Sequence, residues 1–190
     1  MFNKIVLMIV MTLFSATALA SNIMLGGGNN HQISLSGGVS TRSNGFENLY
    51  SAMVQYSEPS DFFFLRARTN LEVGGMLGEK NKGNSMDCSA NSGSLPCDDY
   101  NQYILGVSKD AALLSISKFY LGVGLGAYIK TKSRDDERVN SAFTFGEKAL
   151  LGYSFGPANA EVFIRHFSNG SLTEKNSGYN FVGAAIAYNF

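Results

Sequence analysis

The chain has 190 residues, with 15 basic and 15 acidic side chains; 45% of its residues are hydrophobic and 12% are aromatic. A chain with no net charge lacks the strongly basic surface of a nucleic-acid-binding protein. Its length fits a single domain, and no internal repeat or charged block divides it.

The first twenty residues carry the pattern of a secretory signal peptide. Lys4 supplies the positive charge, residues 5–14 form an apolar run, and Ala18-Leu19-Ala20 is a small-x-small cleavage site. The apolar run is too short for a membrane-spanning helix, which needs roughly 20 residues. We therefore predict a signal peptide over residues 1–20 and an exported domain over residues 21–190.

Eight segments with alternating apolar and polar or small residues follow the leader, and they predict eight β-strands. In the clearest segment, 119–130, apolar residues alternate with glycine and tyrosine. The eight predicted strands are residues 31–40, 49–57, 61–75, 100–109, 119–130, 141–155, 158–167 and 179–190.

Charged residues lie on the faces opposite the apolar rows, which decides between two all-β architectures. Burying them in a dry sandwich core is costly, whereas inside a small barrel they can pair with one another. We therefore predict an eight-stranded antiparallel transmembrane β-barrel, with ion pairs in its lumen. The predicted lumen charges are Arg66, Arg68, Glu72, Glu147, Glu161 and Arg165, and the aromatic residues suited to a girdle at the membrane surface are Tyr50, Tyr56, Tyr103, Tyr188 and Phe190.

The connections alternate between short and long, as in outer-membrane barrels. Short turns are predicted at residues 58–60 and 156–157, and long polar loops after the third and fifth strands. If both termini lie on the periplasmic side, the long loops face outward. The connection at residues 110–117 contains Leu113 and Leu114, to which the pattern assigns no role.

Cys88 and Cys97 lie in the long polar loop after the third strand. An exported chain meets an oxidising compartment, so the two cysteines predict a local disulfide. Neither histidine is nearby, and two thiols alone do not make a metal site.

The candidate chemistry lies at the end of the seventh strand. A period of two puts His166 and Ser168 on the face of Val162 and Ile164, which points to lipid. An imidazole can activate a neighbouring hydroxyl as a nucleophile, and Asn169 is well placed to stabilise an oxyanion. Asn180, on the next strand, can lie opposite His166. The same residues also fit a polar pair at the membrane surface without catalysis.

Residues 165–169 (Arg-His-Phe-Ser-Asn) and 176–180 (Asn-Ser-Gly-Tyr-Asn), followed by a terminal strand, resemble the lipid A 3-O-deacylase family of acyloxyacyl-hydrolase-related outer-membrane barrels. The resemblance implies that His166 is the base, Ser168 the nucleophile and Asn169 an oxyanion donor. The best-known members have glutamate at the orienting position, where this chain has Asn180, so reduced activity is expected. Glu174 is an alternative orienting group.

The resemblance implies an esterase in the Gram-negative outer membrane that removes the ester-linked 3-position acyl chain of lipid A, without a cofactor or metal. The expected partners are lipopolysaccharide and the membrane; no nucleic acid is expected, and a homodimer is left open. Two other functions fit the same residues: a non-enzymatic barrel with a structural or adhesion role, and a lipase or acyltransferase acting on phospholipid.

Overall fold

A computed structural model describes residues 25–41, 47–80, 100–131, 139, 141–173, 176 and 178–190. The predicted leader, Cys88, Cys97 and Glu174 lie outside these residues. The strands are β1 Gln32–Ser40, β2 Glu47–Phe62, β3 Leu65–Lys80, β4 Tyr100–Ile116, β5 Phe119–Lys130, β6 Phe143–Phe155, β7 Ala158–Ser168 and β8 Tyr179–Asn189. No helix in the described residues is long and apolar enough to cross a membrane.

The strands form a closed barrel in which each pairs antiparallel with its neighbours in sequence, and β8 pairs with β1. The predicted eight-stranded antiparallel barrel is confirmed. The outward rows are apolar and exposed, as at Leu35 (64%), Leu125 (60%) and Ile186 (67%). A wall of this kind is stable against hydrocarbon, with the polar rows turned inward, which is the arrangement of a membrane-spanning barrel.

The lumen is filled by paired charges. Glu72 and Asp110 are fully buried, and partners offset the cost of removing each carboxylate from water. Glu72 meets Arg165 and also accepts a hydrogen bond from Tyr128, whereas Asp110 meets Lys148 and Arg68 through Oδ2 and its Oδ1 has no hydrogen-bond partner among the described residues. The ion pairs are Arg68–Asp110 (3.1 Å), Arg68–Glu161 (2.8 Å), Lys148–Asp110 (2.6 Å) and Arg165–Glu72 (2.7 Å).

Two of the charges predicted for the lumen lie elsewhere. Arg66 is at the end of β3, where its half-exposed side chain pairs with Asp61 at 3.2 Å. Glu147 is exposed on the outer face of β6. The prediction was wrong for Glu147 because it assigned the charge to the lumen, although Glu147 has the same parity as the outward Phe143 and Phe145.

The barrel has a turn end and a loop end. The turn end carries the tight turns Phe63–Phe64, Ser117–Lys118 and Gly156–Pro157, together with the C-terminal Phe190. The longer connections, which begin after residues 40, 80, 130 and 168, meet at the loop end. This arrangement agrees with the predicted alternation of short and long connections.

The turn predicted at residues 58–60 is part of β2. The β1–β2 ladder stops at Gln32–Ser57, so from Glu58 onward β2 has a partner only in β3. Proline lacks an N–H and is tolerated at such an edge, which explains how Pro59 sits inside a strand. The hairpin therefore continues to Phe62.

The unassigned segment at residues 110–117 is the second half of β4. The β4–β5 register shifts between Ala112 and Leu114, which is a β-bulge at Leu113. A bulge adds one residue to a strand and breaks the period of two. Leu113 and Leu114 are consequently both exposed on the outer wall.

Candidate active site on the outer wall

The candidate site lies on the outer face of β6, β7 and β8, near the loop end. His166 and Ser168 are half-buried and belong to the outward row that also holds Val162 and Ile164. Asn180 is the register partner of His166 on β8 and faces the same way. Imidazole, hydroxyl and amide thus occupy one patch of the wall.

The interior packing fixes the orientation of this patch. Arg165 and Phe167 flank His166 in sequence and point inward, where Arg165 pairs with Glu72. Phe167 is fully buried and packs edge-on against Tyr128, with ring centroids 5.1 Å apart. Because these two neighbours are anchored in the lumen, the strand must turn His166 outward.

The imidazole is held in one orientation. His166 Nδ1 lies 2.8 Å from Asn180 Oδ1. A carbonyl oxygen only accepts hydrogen bonds, so Nδ1 carries the proton and Nε2 carries the lone pair. The ring therefore has the tautomer of a general base that acts through Nε2.

Gly178 packs against the other edge of the same ring, and the sequence analysis missed it. Its φ is +67°, which favours glycine, and a Cβ there would lie 2.5 Å from His166 Cε1 and 3.2 Å from Nε2. Any larger residue would push the ring out of place. The glycine that follows Asn176-Ser177 was the only signal in the sequence.

Ser168 is the last residue of β7, two positions after His166. Its carbonyl oxygen accepts a hydrogen bond from Thr144 Oγ1 at 2.8 Å, which fixes the backbone of β7 to β6. Residues two apart on one strand are separated by roughly 6.5–7 Å along the backbone. In the described part of the chain, the two side chains share a face but no hydrogen bond joins them.

Asn169 is buried and organises the loop that leaves β7. Its Oδ1 accepts from Ser171 N–H at 3.0 Å, and its Nδ2 donates to Thr173 Oγ1. Its own backbone N–H donates to Asn176 Oδ1 at 2.9 Å. The amide therefore holds the turn beside Ser168 in the free protein, and its role as an oxyanion donor stays a prediction.

A groove of about 570 Å³ opens beside these side chains on the outer wall. Its polar lining comprises Thr41, Glu147, Lys148, Arg165, His166 and Asn180. Glu147 is the register partner of His166 on β6. Its apolar part includes Ala149, Ile164 and Val182. In the described residues, no group of three or more His, Cys, Asp or Glu side chains is arranged to hold a metal ion.

Sequence comparison identifies the family. The family described as lipid A 3-O-deacylase (PagL) matches residues 90–189, which is more than half of the 190 residues. The chain belongs to the lipid A 3-O-deacylase family. Lipid A deacylase PagL from Bordetella bronchiseptica is 37% identical over 76 residues, covering 38% of this chain and 42% of that relative. The matched part therefore spans less than half of this relative.

Solved structures share the fold. The outer membrane enzyme PagL superimposes with a TM-score of 0.54 at 14% identity, covering 84% of this chain and 99% of that one. Neisserial surface protein A (NspA) also gives a TM-score of 0.54, at 12% identity, covering 87% of this chain and 100% of that one. Because an enzyme and a surface protein match equally well, the barrel alone does not decide the activity of this member of the lipid A 3-O-deacylase family.

Proposed function

We propose that this protein is an outer-membrane esterase that removes the ester-linked acyl chain from the 3-position of lipid A, with Ser168 as nucleophile and His166 as general base. The observation that carries the proposal is the His166–Asn180 hydrogen bond of 2.8 Å on the outer wall, beside Ser168, in a member of the lipid A 3-O-deacylase family. This bond orients an imidazole where a lipid can reach it.

The location of these groups supports a substrate that stays in the membrane. The groove is open on the outer wall, and its apolar residues Ala149, Ile164 and Val182 face hydrocarbon. An acyl chain can lie along these residues without leaving its leaflet. The loop end faces the cell exterior if the short turns are periplasmic, so the substrate belongs to the outer leaflet.

The reaction follows the general serine esterase scheme. Ser168 Oγ attacks the ester carbonyl carbon while its proton passes to His166 Nε2. The tetrahedral intermediate then expels the sugar 3-oxygen, which takes the proton from the imidazolium. Water, activated by the same nitrogen, hydrolyses the acyl-serine and releases the fatty acid.

Asn180 keeps the imidazole in the productive tautomer throughout, because its Oδ1 accepts from Nδ1. Stabilisation of the oxyanion is assigned to Asn169, whose amide must exchange Thr173 for the substrate oxygen when lipid binds.

Mass spectrometry of lipid A tests the proposal. Wild-type protein expressed in Gram-negative cells is expected to remove one acyl chain, and Ser168→Ala is expected to remove none. Ser154→Ala, which removes a hydroxyl near the turn end of β6, serves as the matched control and should behave as wild type.

If correctly inserted wild-type protein leaves lipid A unchanged, the esterase proposal fails and a non-enzymatic barrel is favoured. Release of a phospholipid acyl chain instead would assign the same residues to a phospholipase.

A further inference from the structure

Glu147 is an exposed carboxylate on the apolar wall. Its outward row on β6 contains Phe143 and Phe145 toward the loop end, and Ala149 and Leu151 toward the turn end. A charge in such a row is destabilising, to an extent that depends on its depth in the bilayer. A glutamate at this position therefore needs a physical reason.

An ion pair or hydrogen bond in the described structure does not supply that reason. Within the described residues, the Glu147 carboxylate has no hydrogen bond or salt bridge. The cations nearest in sequence point into the lumen and are committed there: Lys148 to Asp110 at 2.6 Å and Arg165 to Glu72 at 2.7 Å. Among the residues that the structure describes, the group beside it on the outer wall that can carry a positive charge is His166.

The register brings these two side chains together. Glu147 and His166 are direct partners in the β6–β7 ladder, and both line the groove. Side chains directly opposite in an antiparallel pair have Cβ atoms about 4.5–5.5 Å apart. Asn180 occupies the other flank of the imidazole, so His166 lies between an amide on β8 and a carboxylate on β6.

We propose that Glu147 is a positioning residue that supplies the negative charge for the His166 imidazolium, which Asn180 cannot supply. The inference rests on the proposed function, because the imidazolium forms when His166 takes the Ser168 proton. An amide at the orienting position fixes the tautomer but leaves the new charge uncompensated. A carboxylate on the opposite strand acts through space, in a low-dielectric wall where charge interactions are strong.

The same placement explains why the carboxylate is tolerated in the wall. It neutralises the site when the imidazole is charged. The two functions of an orienting carboxylate, hydrogen bonding and charge, are thereby divided between Asn180 and Glu147.

Kinetics of the purified full-length protein, in mixed micelles of detergent and lipid A, test the inference. Glu147→Gln is expected to lower kcat by about tenfold with KM for lipid A unchanged, since only the transition state carries the extra charge. Glu147→Asp should recover most of the loss. Glu79→Gln, at an exposed glutamate on the outward row of β3, is the matched control and should have no effect.

A double substitution distinguishes charge from packing. If Asn180→Glu restores a carboxylate beside His166, adding Glu147→Gln should then cost clearly less than it does in the native background. Heat-dependent mobility on gels checks that each variant is a folded barrel.

The inference is overturned if Glu147→Gln keeps full kcat, if it raises KM alone as a substrate contact would, or if its effect is the same in both backgrounds. A wild-type protein without deacylase activity would overturn the proposed function and this inference together. An active wild type with an equally active Glu147→Gln variant would overturn this inference alone.

Discussion

Polar side chains have different numbers of partners in the lumen and on the outer wall near the loop end. In the lumen, Arg68 contacts Asp110 and Glu161, and further donors such as Tyr120 complete the network. On the wall, the hydrogen bond that His166 makes to the described part of the chain is the one with Asn180. Within the residues that the structure describes, the lumen charges are paired with one another, although Asp110 Oδ1 and Arg165 Nε have no hydrogen-bond partner, whereas His166 and Ser168 are half-buried and lie in no ion pair. This contrast separates the structural charges of the lumen from the groups assigned to catalysis.

The largest effect on activity is expected from a substitution that removes a wall side chain and leaves the lumen network intact. His166→Gln should lower kcat/KM for lipid A deacylation by at least about a thousandfold, because it removes the proposed general base. The free energy of unfolding should change by less than about 0.5 kcal/mol, since the side chain is outside the lumen network. Urea unfolding in lipid vesicles and micelle kinetics measure the two quantities. A large loss of stability would place His166 among the structural groups instead.

The second prediction concerns a lumen residue, whose substitution should lower stability and leave the catalytic rate unchanged. Arg68→Met leaves Glu161 without its cation and should cost about 3–5 kcal/mol of unfolding free energy. Folded protein should keep its kcat. The control is Arg66→Met on the same strand, where the pair with Asp61 is half-exposed and should contribute less than about 1 kcal/mol. Equal losses in the two variants would contradict the distinction between the buried ion pairs of the lumen and exposed polar groups.

A smaller effect is expected at Gly178, which packs against the His166 ring. Alanine there adds strain at a positive φ, about 1 kcal/mol, and displaces the His166 ring, so kcat should fall about tenfold. Gly156→Ala is the matched control, because its φ is +77° and a Cβ there would meet nothing within 4 Å. If both variants lose the same stability and neither loses kcat, the contact of Gly178 with the ring has no catalytic consequence.

The smallest effect sharpens the role of the orienting group. Asn180→Glu should give a kcat between the wild-type value and about tenfold above it, because a carboxylate both orients the ring and neutralises it. Asn180→Gln has the same length without the charge and should give no gain. A deacylation rate for Asn180→Glu well below that of Asn180→Gln would show that charge at this position is harmful.

The alternation of apolar and polar residues correctly predicted the number of strands and the approximate bounds of most of them. The bounds of β5 agree with the structure at both ends, because its alternation is uninterrupted from Phe119 to Lys130. Errors arose where another preference was given more weight than the period. Pro59 predicts a turn, although the unpaired edge of β2 tolerates it. The bulge at Leu113 interrupts the alternation that would otherwise predict the second half of β4.

The site shows the same limit. The shared face of His166, Ser168 and Asn180 follows from strand parity and from the pairing of the consecutive strands β7 and β8. The parity of Glu147 also predicts an outward side chain, but the rule that charged residues face the lumen was given more weight. The contact of Gly178 with the ring depends on three-dimensional loop geometry, which alternation does not encode.

The filled lumen has a consequence for the route of the products. Leu25 is buried at the turn end, where its backbone turn lies beside Gln32, and Phe167, Tyr179 and Phe181 pack together toward the loop end. In a small barrel packed in this way, side chains fill the interior and leave no open channel. In the proposed reaction, the freed fatty acid and the trimmed glycolipid would therefore separate by lateral diffusion within one leaflet, without passing through the barrel.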